Sequence, residues 1–159
     1  MGTIRDLLDK AKFVTDNIPN EVFEIVQKNK EKIVEFNKDQ LFEGKTIFNQ
    51  DIRPYYTEDP FFKTAQAARN YIAWKQRITP NSKRNPNAPN LYINGYYHSS
   101  IDLIFSGKTP LLESRSGSLF SEINNKYQNI IGLNEDHTLS LNYEIIKPEL
   151  QEFINKYIG

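Results

Sequence analysis

Val22, Val26, Ile33, Phe36 and Leu41 fall on one face of a 3.6-residue period, and Gly44 follows three residues after the last of them. A chain with that pattern has to build an amphipathic helix and bury its apolar stripe against something else. Asn20 is placed to cap the start of this helix, which runs to about Phe42. Gly44 is placed to end it in the left-handed conformation that a side chain disfavours. Phe23 and Ile25 widen the apolar face, while Glu24 and Lys28 form an i,i+4 pair on the wet side. A shorter helix precedes it from Thr3 to Asp16, with Thr3 as its cap and Ile4, Leu7, Leu8, Ala11 and Val14 at helical spacing. Asn17-Ile18-Pro19 is expected to separate the two, because the residue before a proline is pushed out of the α region. Residues 1–43 thus form an N-terminal helical region.

After Gly44 the period changes. Lys45 to Tyr56 carries Ile47, Phe48, Ile52, Tyr55 and Tyr56 around Asn49-Gln50-Asp51, which predicts a hairpin or an extended arm confined to an edge by Pro54. A helix is expected from Phe62 to Arg77, with Ala65, Ala68, Tyr71, Ile72 and Trp74 on it. The prolines and asparagines of ITPNSKRNPNAPN then break regular structure, so residues 75–90 are read as an exposed basic loop. Ser100 to Phe105 alternates like a strand, Gly107-Lys108 makes a turn, and Leu111 to Ser116 supplies the partner strand. A short helix follows from Ser118 to Tyr127, and Asn129 to Leu133 forms a compact apolar turn. The last helix starts at Leu141 or Pro148 and reaches Tyr157, burying Ile145, Ile146, Leu150, Phe153, Ile154 and Tyr157. Helices, then a short hairpin, then helices give a single α+β domain over residues 1–159, in which a short antiparallel sheet packs against two or more helices.

Composition removes whole classes of function. With no cysteine there is no disulfide, thiolate nucleophile or cysteine zinc site, which fits a reducing compartment. No apolar run approaches the roughly 20 residues that span a bilayer, and the opening MGTIRDLLDKAK mixes charges where a signal peptide is apolar. Asp6 stands where a myristoylation signal carries Ser or Thr. A soluble protein without membrane contact is expected.

The formal charge of zero hides a segregation. Residues 1–59 hold 9 basic and 12 acidic side chains, and the tail from Glu113 is again net negative. Between Pro60 and Ile101 there is no acid, while Lys63, Arg69, Lys75, Arg77, Lys83 and Arg84 are all basic. Such polarity speaks of partners: copies of the same chain meeting head to tail, or phosphate. A solvated loop that merely lacks acids has the same composition. More than half of the 20 aromatic residues fall between Phe42 and Tyr97. Interleaved with Lys and Arg, they read as an interface, a stacking surface for single strands, or an ordinary core.

A search for chemistry finds little. His98 and His137 belong to no metal-spaced motif. A metal-dependent nuclease needs carboxylates and an imidazole, which Asp51, Glu58, Asp59 and His98 supply without any supporting spacing. Ser99 and Ser116 lack the glycines of a nucleophile elbow, and with 7 glycines in all there is no phosphate-cradling loop. No catalytic residue, metal or cofactor is expected.

Asn94-Gly95-Tyr96-Tyr97-His98-Ser99-Ser100-Ile101 resembles a motif of tailed-phage virion-morphogenesis and tail-completion proteins of the head–tail neck: small polar residue, Gly, x, aromatic or Leu, x, x, Ser, Ile or Phe. In that family a helical region, an extended Gly…Pro-Tyr segment and a variable basic loop precede the Gly–Ser stretch that enters a strand. Gly44, Pro54-Tyr55 and the Lys75–Asn90 loop follow the same order here. Ile130-Ile131-Gly132-Leu133 resembles an Ile-Phe-Gly-Leu turn of the same group, with Ile131 in place of the phenylalanine. The resemblance implies a structural subunit without catalytic residues, in a ring of its own copies around the DNA channel. Portal, connector or tail proteins would be its neighbours, packaged DNA a non-specific contact, and the virion its location after assembly in the bacterial host cytoplasm. Lys75, Arg77, Lys83 and Arg84 are then the residues expected to face a neighbour or DNA, and Gly95, Ser100 and Gly132 the structural motif positions. The competing expectation is a single-stranded nucleic-acid-binding module using residues 75–97.

Overall fold

The computed structural model describes residues 2–115 and 117–159. Met1 and Ser116 lie outside the described residues, and with Ser116 go the end of the expected second strand and one candidate nucleophile. The fold is α+β: helices with a two-stranded antiparallel sheet. In chain order come α1 (Ile4–Lys28), α2 (Lys30–Phe42), α3 (Ala65–Ile78), a 3₁₀ turn (His98–Ser100), β1 (Asp102–Ser106) and β2 (Thr109–Glu113). These are followed by α4 (Ser118–Lys126), α5 (Glu135–Ser140), a π-helical turn (Leu141–Ile146) and α6 (Lys147–Ile158).

Thr3 caps α1 in a reciprocal box: its hydroxyl accepts from Asp6 N at 3.2 Å, and its own N–H donates to the Asp6 carboxylate at 2.6 Å. The expected break at Asn17-Ile18-Pro19 does not occur, and α1 runs straight through Pro19. Proline removes the donor that the Thr15 carbonyl would have used. Both Pro19 and Thr15 are exposed, so the vacant acceptor lies on the solvent side, while Val14, Ile25 and Val26 are buried. The helix breaks instead at Asn29, whose amide donates to Ile25 O at 2.9 Å and to Glu149 Oε1 at 3.0 Å. A side chain that captures the preceding carbonyl competes with continuation of the helix.

α2 ends as expected. Lys45 N donates to Gln40 O at 3.0 Å and Gly44 N to Leu41 O at 2.9 Å, the paired bonds of a Schellman motif around Gly44 at φ +66°. A Cβ here would also meet Arg84 Cγ at 3.1 Å and Ala88 Cβ at 3.2 Å, so the glycine lets residues 84–89 close against the helix end. Gly44→Ala is expected to lower unfolding free energy by about 1–3 kcal/mol, from the left-handed backbone and the crowding together. Denaturant titration of the two proteins measures it.

The core gathers Val26, Ile33, Val34, Leu41, Ile52, Tyr97, Ile101, Leu103, Phe120 and Ile130. β1 turns Leu103 inward against α2, and pairs Leu103 with Leu112, Ile104 with Leu111 and Ser106 with Thr109. Polar groups lie inside as well. The Asn37 amide donates to Ile130 O at 3.1 Å and Gly132 O at 2.8 Å, and Gln40 Oε1 accepts from Asn134 N at 2.7 Å. Asn134 in turn caps α5, accepting from His137 N at 3.0 Å. The compact turn at 129–133 is thus strapped to α2.

Three further expectations differ. Lys45–Tyr56 forms neither hairpin nor arm but a tight loop with one isolated bridge, Lys45 to Asp51. The Asp51 carboxylate holds it: Lys45 at 2.7 Å, the Tyr55 hydroxyl at 2.7 Å and the Asn85 amide at 3.0 Å all donate to it. Burial pushes the Asp51 acid up, but these donors outweigh it and leave the group below its ordinary value. The second strand begins at Thr109, ahead of Leu111. The last helix begins at Glu135 and continues unbroken through the π-helical turn into α6. Pro148 lies in the first turn of α6, directly after that wider turn, which keeps its ring clear of the carbonyl four residues back.

A candidate binding cavity around Lys75

α3 is capped by Thr64, whose hydroxyl accepts from Ala67 N at 3.1 Å. Ala68 and Lys75 are buried on it and Thr79 is buried just past its end, at spacings of seven and four that mark one helical face. Lys75 therefore occupies a core position. Its side chain is 1% exposed, and its ammonium donates to the carbonyl of Tyr92. Among the described residues no carboxylate stands within ion-pair distance of it. Desolvation first, and the neighbouring Arg84 second, bring the Lys75 ammonium down to about 8 from the usual 10.5.

Above Lys75 opens a cavity of about 460 Å³. Tyr56, Tyr71, Tyr92 and Tyr127 contribute rings to it, with Leu91 and Ile123 between them. Tyr56 and Tyr71 meet edge to face at 5.0 Å, and Trp74 backs Tyr71 at 5.4 Å. Burial raises the phenols of Tyr56, Tyr71 and Tyr127 above their ordinary value, so these rings remain neutral at physiological pH. Phe61 and Ile93 line the mouth and are 75% and 66% exposed. Lys126 also lines it, but its ammonium is held by Asp59 at 2.6 Å. Glu122 is the carboxylate in the lining.

The basic residues read from the sequence are split by this arrangement. Lys75 and Arg84 do not face outward, and residues 75–90 are not an exposed loop throughout. Lys75 belongs to α3, while Thr79, Arg84, Ala88, Pro89 and Asn90 are buried. Arg84 turns back into its own loop, donating to Ala88 O at 2.8 Å and Pro86 O at 3.3 Å, because the segment needs a donor for carbonyls that no regular element satisfies. Arg77 and Lys83 are exposed, and Lys83 approaches Glu43 at 3.4 Å. Lys63 and Arg69 lie at the surface too.

The motif positions serve the backbone. Gly95 sits at φ +81° with a virtual Cβ 3.0 Å from the Tyr92 ring, so only glycine permits this turn. Ser100 is buried, donates to Tyr97 O at 2.6 Å, and accepts from Arg115 N at 3.1 Å, coupling the 3₁₀ turn to the strand pair. Gly132 offers its carbonyl to Asn37.

The carboxylates and imidazole weighed for a nuclease are dispersed. Asp51 is saturated by its three donors, Glu58 pairs with Arg53, and Asp59 with Lys126. His98 is buried, its Nε2–H donating to Asn90 O at 2.8 Å. Among the described residues no three His, Asp or Glu side chains are grouped to hold a metal ion, and no helix is long and apolar enough to cross a membrane.

Tyr56, Tyr71, Leu91, Ile123, Lys126 and Tyr127 were not foreseen as one site. The spacing of Ala68, Ile72, Lys75 and Thr79 was the available signal, since it puts a lysine on an apolar stripe. Comparison with protein-family models, with curated proteins and with solved structures finds no match to the chain.

Proposed function

We propose that the protein is a structural subunit of a tailed-phage neck or tail-completion ring, joined to its own copies by heterologous contacts around the DNA channel. The observation that carries the assembly half is the free end of α1. Ile4, Leu7 and Leu8 are 80%, 52% and 64% exposed and lie on one face of the helix, largely uncovered by the other described residues. An uncovered apolar stripe on a long helix marks a contact surface. A ring requires such a patch to meet a different patch on the next copy, and the opposite charges of residues 1–59 and 60–101 favour that head-to-tail order. The phage half rests on the resemblance of the Gly95–Ser100 stretch, and portal or tail proteins are then the neighbours above and below.

The single-stranded nucleic-acid reading loses two of its cations, since Lys75 and Arg84 are turned inside. Mass photometry of the full chain, alone and with a portal ring, tests the proposal. A closed oligomer is expected where the portal ring gathers the copies, and Leu7→Lys with Leu8→Lys should abolish it. Melting temperature should stay nearly unchanged, because both residues are exposed. A chain that remains monomeric in both settings, or a monomer that binds single-stranded DNA tightly through Arg77 and Lys83, would overturn it.

A further inference from the structure

We propose that the cavity over Lys75 is a binding site for a small organic monoanion: a carboxylate on an aromatic or branched aliphatic body. The site is independent of the α1 surface on which the assembly reading rests.

Its floor supplies a charge without a counter-charge. An ammonium has three N–H donors; Lys75 lines the cavity, and among the described residues the Tyr92 carbonyl is the one acceptor that its ammonium has. A desolvated cation is compensated by an anion that brings its own acceptors, and a charge-assisted bond is about twice as strong as a neutral one. Arg84, whose charge acts on Lys75, adds to the positive field.

The walls select the body of the ligand. Tyr56, Tyr71 and Tyr127 offer ring faces and edges, Leu91 and Ile123 fill between them, and the volume suits a molecule of drug-like size. A phosphate or other dianion wants several converging donors. Here the second lysine of the lining, Lys126, is already taken by Asp59, and Glu122 repels further negative charge. A cationic ligand meets Lys75. One negative charge and an apolar remainder are what the lining accepts.

Calorimetry and lysine-methylene NMR on the full chain test this with phenylacetate and indole-3-acetate as probes, against phenylacetamide and inorganic phosphate. The carboxylates are expected to bind and to shift the Lys75 ε-methylene signal, with the amide at least about tenfold weaker, the loss expected for one charge-assisted bond. Lys75→Met should lower carboxylate affinity by a similar factor and leave the amide unchanged, while Lys83→Met alters neither. Should Lys75→Met not fold, the carboxylate-to-amide ratio on the native chain decides alone. Equal binding of acid and amide, binding of phosphate in preference to the carboxylates, or no binding of any probe at millimolar concentration each overturns the proposal.

Discussion

Replacing Lys75 by methionine is expected to stabilise the protein, by about 2 kcal/mol at pH 7. The native chain holds a lysine ammonium among tyrosine rings, where desolvation has brought it down to about 8. A drop of that size means that folding opposes the charge by about 3 kcal/mol at neutral pH. Methionine keeps a similar length and flexibility without the charge. It leaves the Tyr92 carbonyl without its donor, which returns roughly 1 kcal/mol of the gain. For a chain of this size the net change raises the melting temperature by about 4–8 °C.

The same lysine fixes a pH signature. Between its folded value near 8 and its ordinary 10.5, the unfolded chain binds the proton and the folded chain does not, so stability rises with pH through that window. Tyr56 and Tyr97 act oppositely: burial raises both phenols, so the stability they supply is full below pH 10 and is lost above it. His98 adds an acid-side slope. Burial lowers it, so stability falls as pH drops below its ordinary 6.5. Urea titrations from pH 5 to 10 should therefore find the native protein most stable near pH 9–10. Lys75→Met should keep the acid slope and lose the rise above pH 8. A variant that still climbs between pH 8 and 10 as the native chain does would remove Lys75 as the cause.

The second large effect is expected at Asn37. Asn37→Ala should cost about 3–5 kcal/mol, because it strands the buried carbonyl of Ile130 and the half-buried one of Gly132 and leaves a void beside them. Asn37→Leu restores volume but not the donors, so it should remain destabilised by about 2–4 kcal/mol. A leucine variant as stable as the native chain would mean that the amide serves only to fill space. The exposed Asn20→Ala, outside any buried network, provides the reference for an ordinary asparagine.

Much of the fold was legible where one local rule acted unopposed. Gly44 ends α2, α4 starts at Ser118, and Gly107-Lys108 turns β1 into β2, each as periodicity and turn chemistry require. Misreadings arose where solvent or a distant residue changed the outcome. Pro19 reads as a break, but its lost hydrogen bond faces water. The break belongs to Asn29, whose decisive partner Glu149 is 120 residues away. The aromatic run promised an interface, a stacking surface or a core; Tyr56 and Tyr97 are buried in the core, and several rings of the run also wall a cavity. By charge Lys75 sorts with the surface cations, but its place on α3 sets it in the core. Its real surroundings, Tyr56, Tyr92 and Tyr127, come from three separate loops or helix ends, and no local pattern joins them.

From Ile4 to Lys10 no side chain of α1 is more than partly shielded, and all are exposed. A helix of that kind leans on its capping box and its continuity with later turns, since so short a stretch is marginal by itself in water. Its amides should exchange with solvent far faster than those of α2, as a unit that opens without the rest. A docking surface carried on such a segment becomes ordered as it is used. Part of each contact's energy then goes into winding the helix, so a first encounter between two subunits is weak and readily undone. Closing a ring, where every copy is held on both sides, makes the arrangement durable. On the ring reading proposed above, such a subunit is expected to stay single in dilute solution and to commit only where many copies are gathered at once.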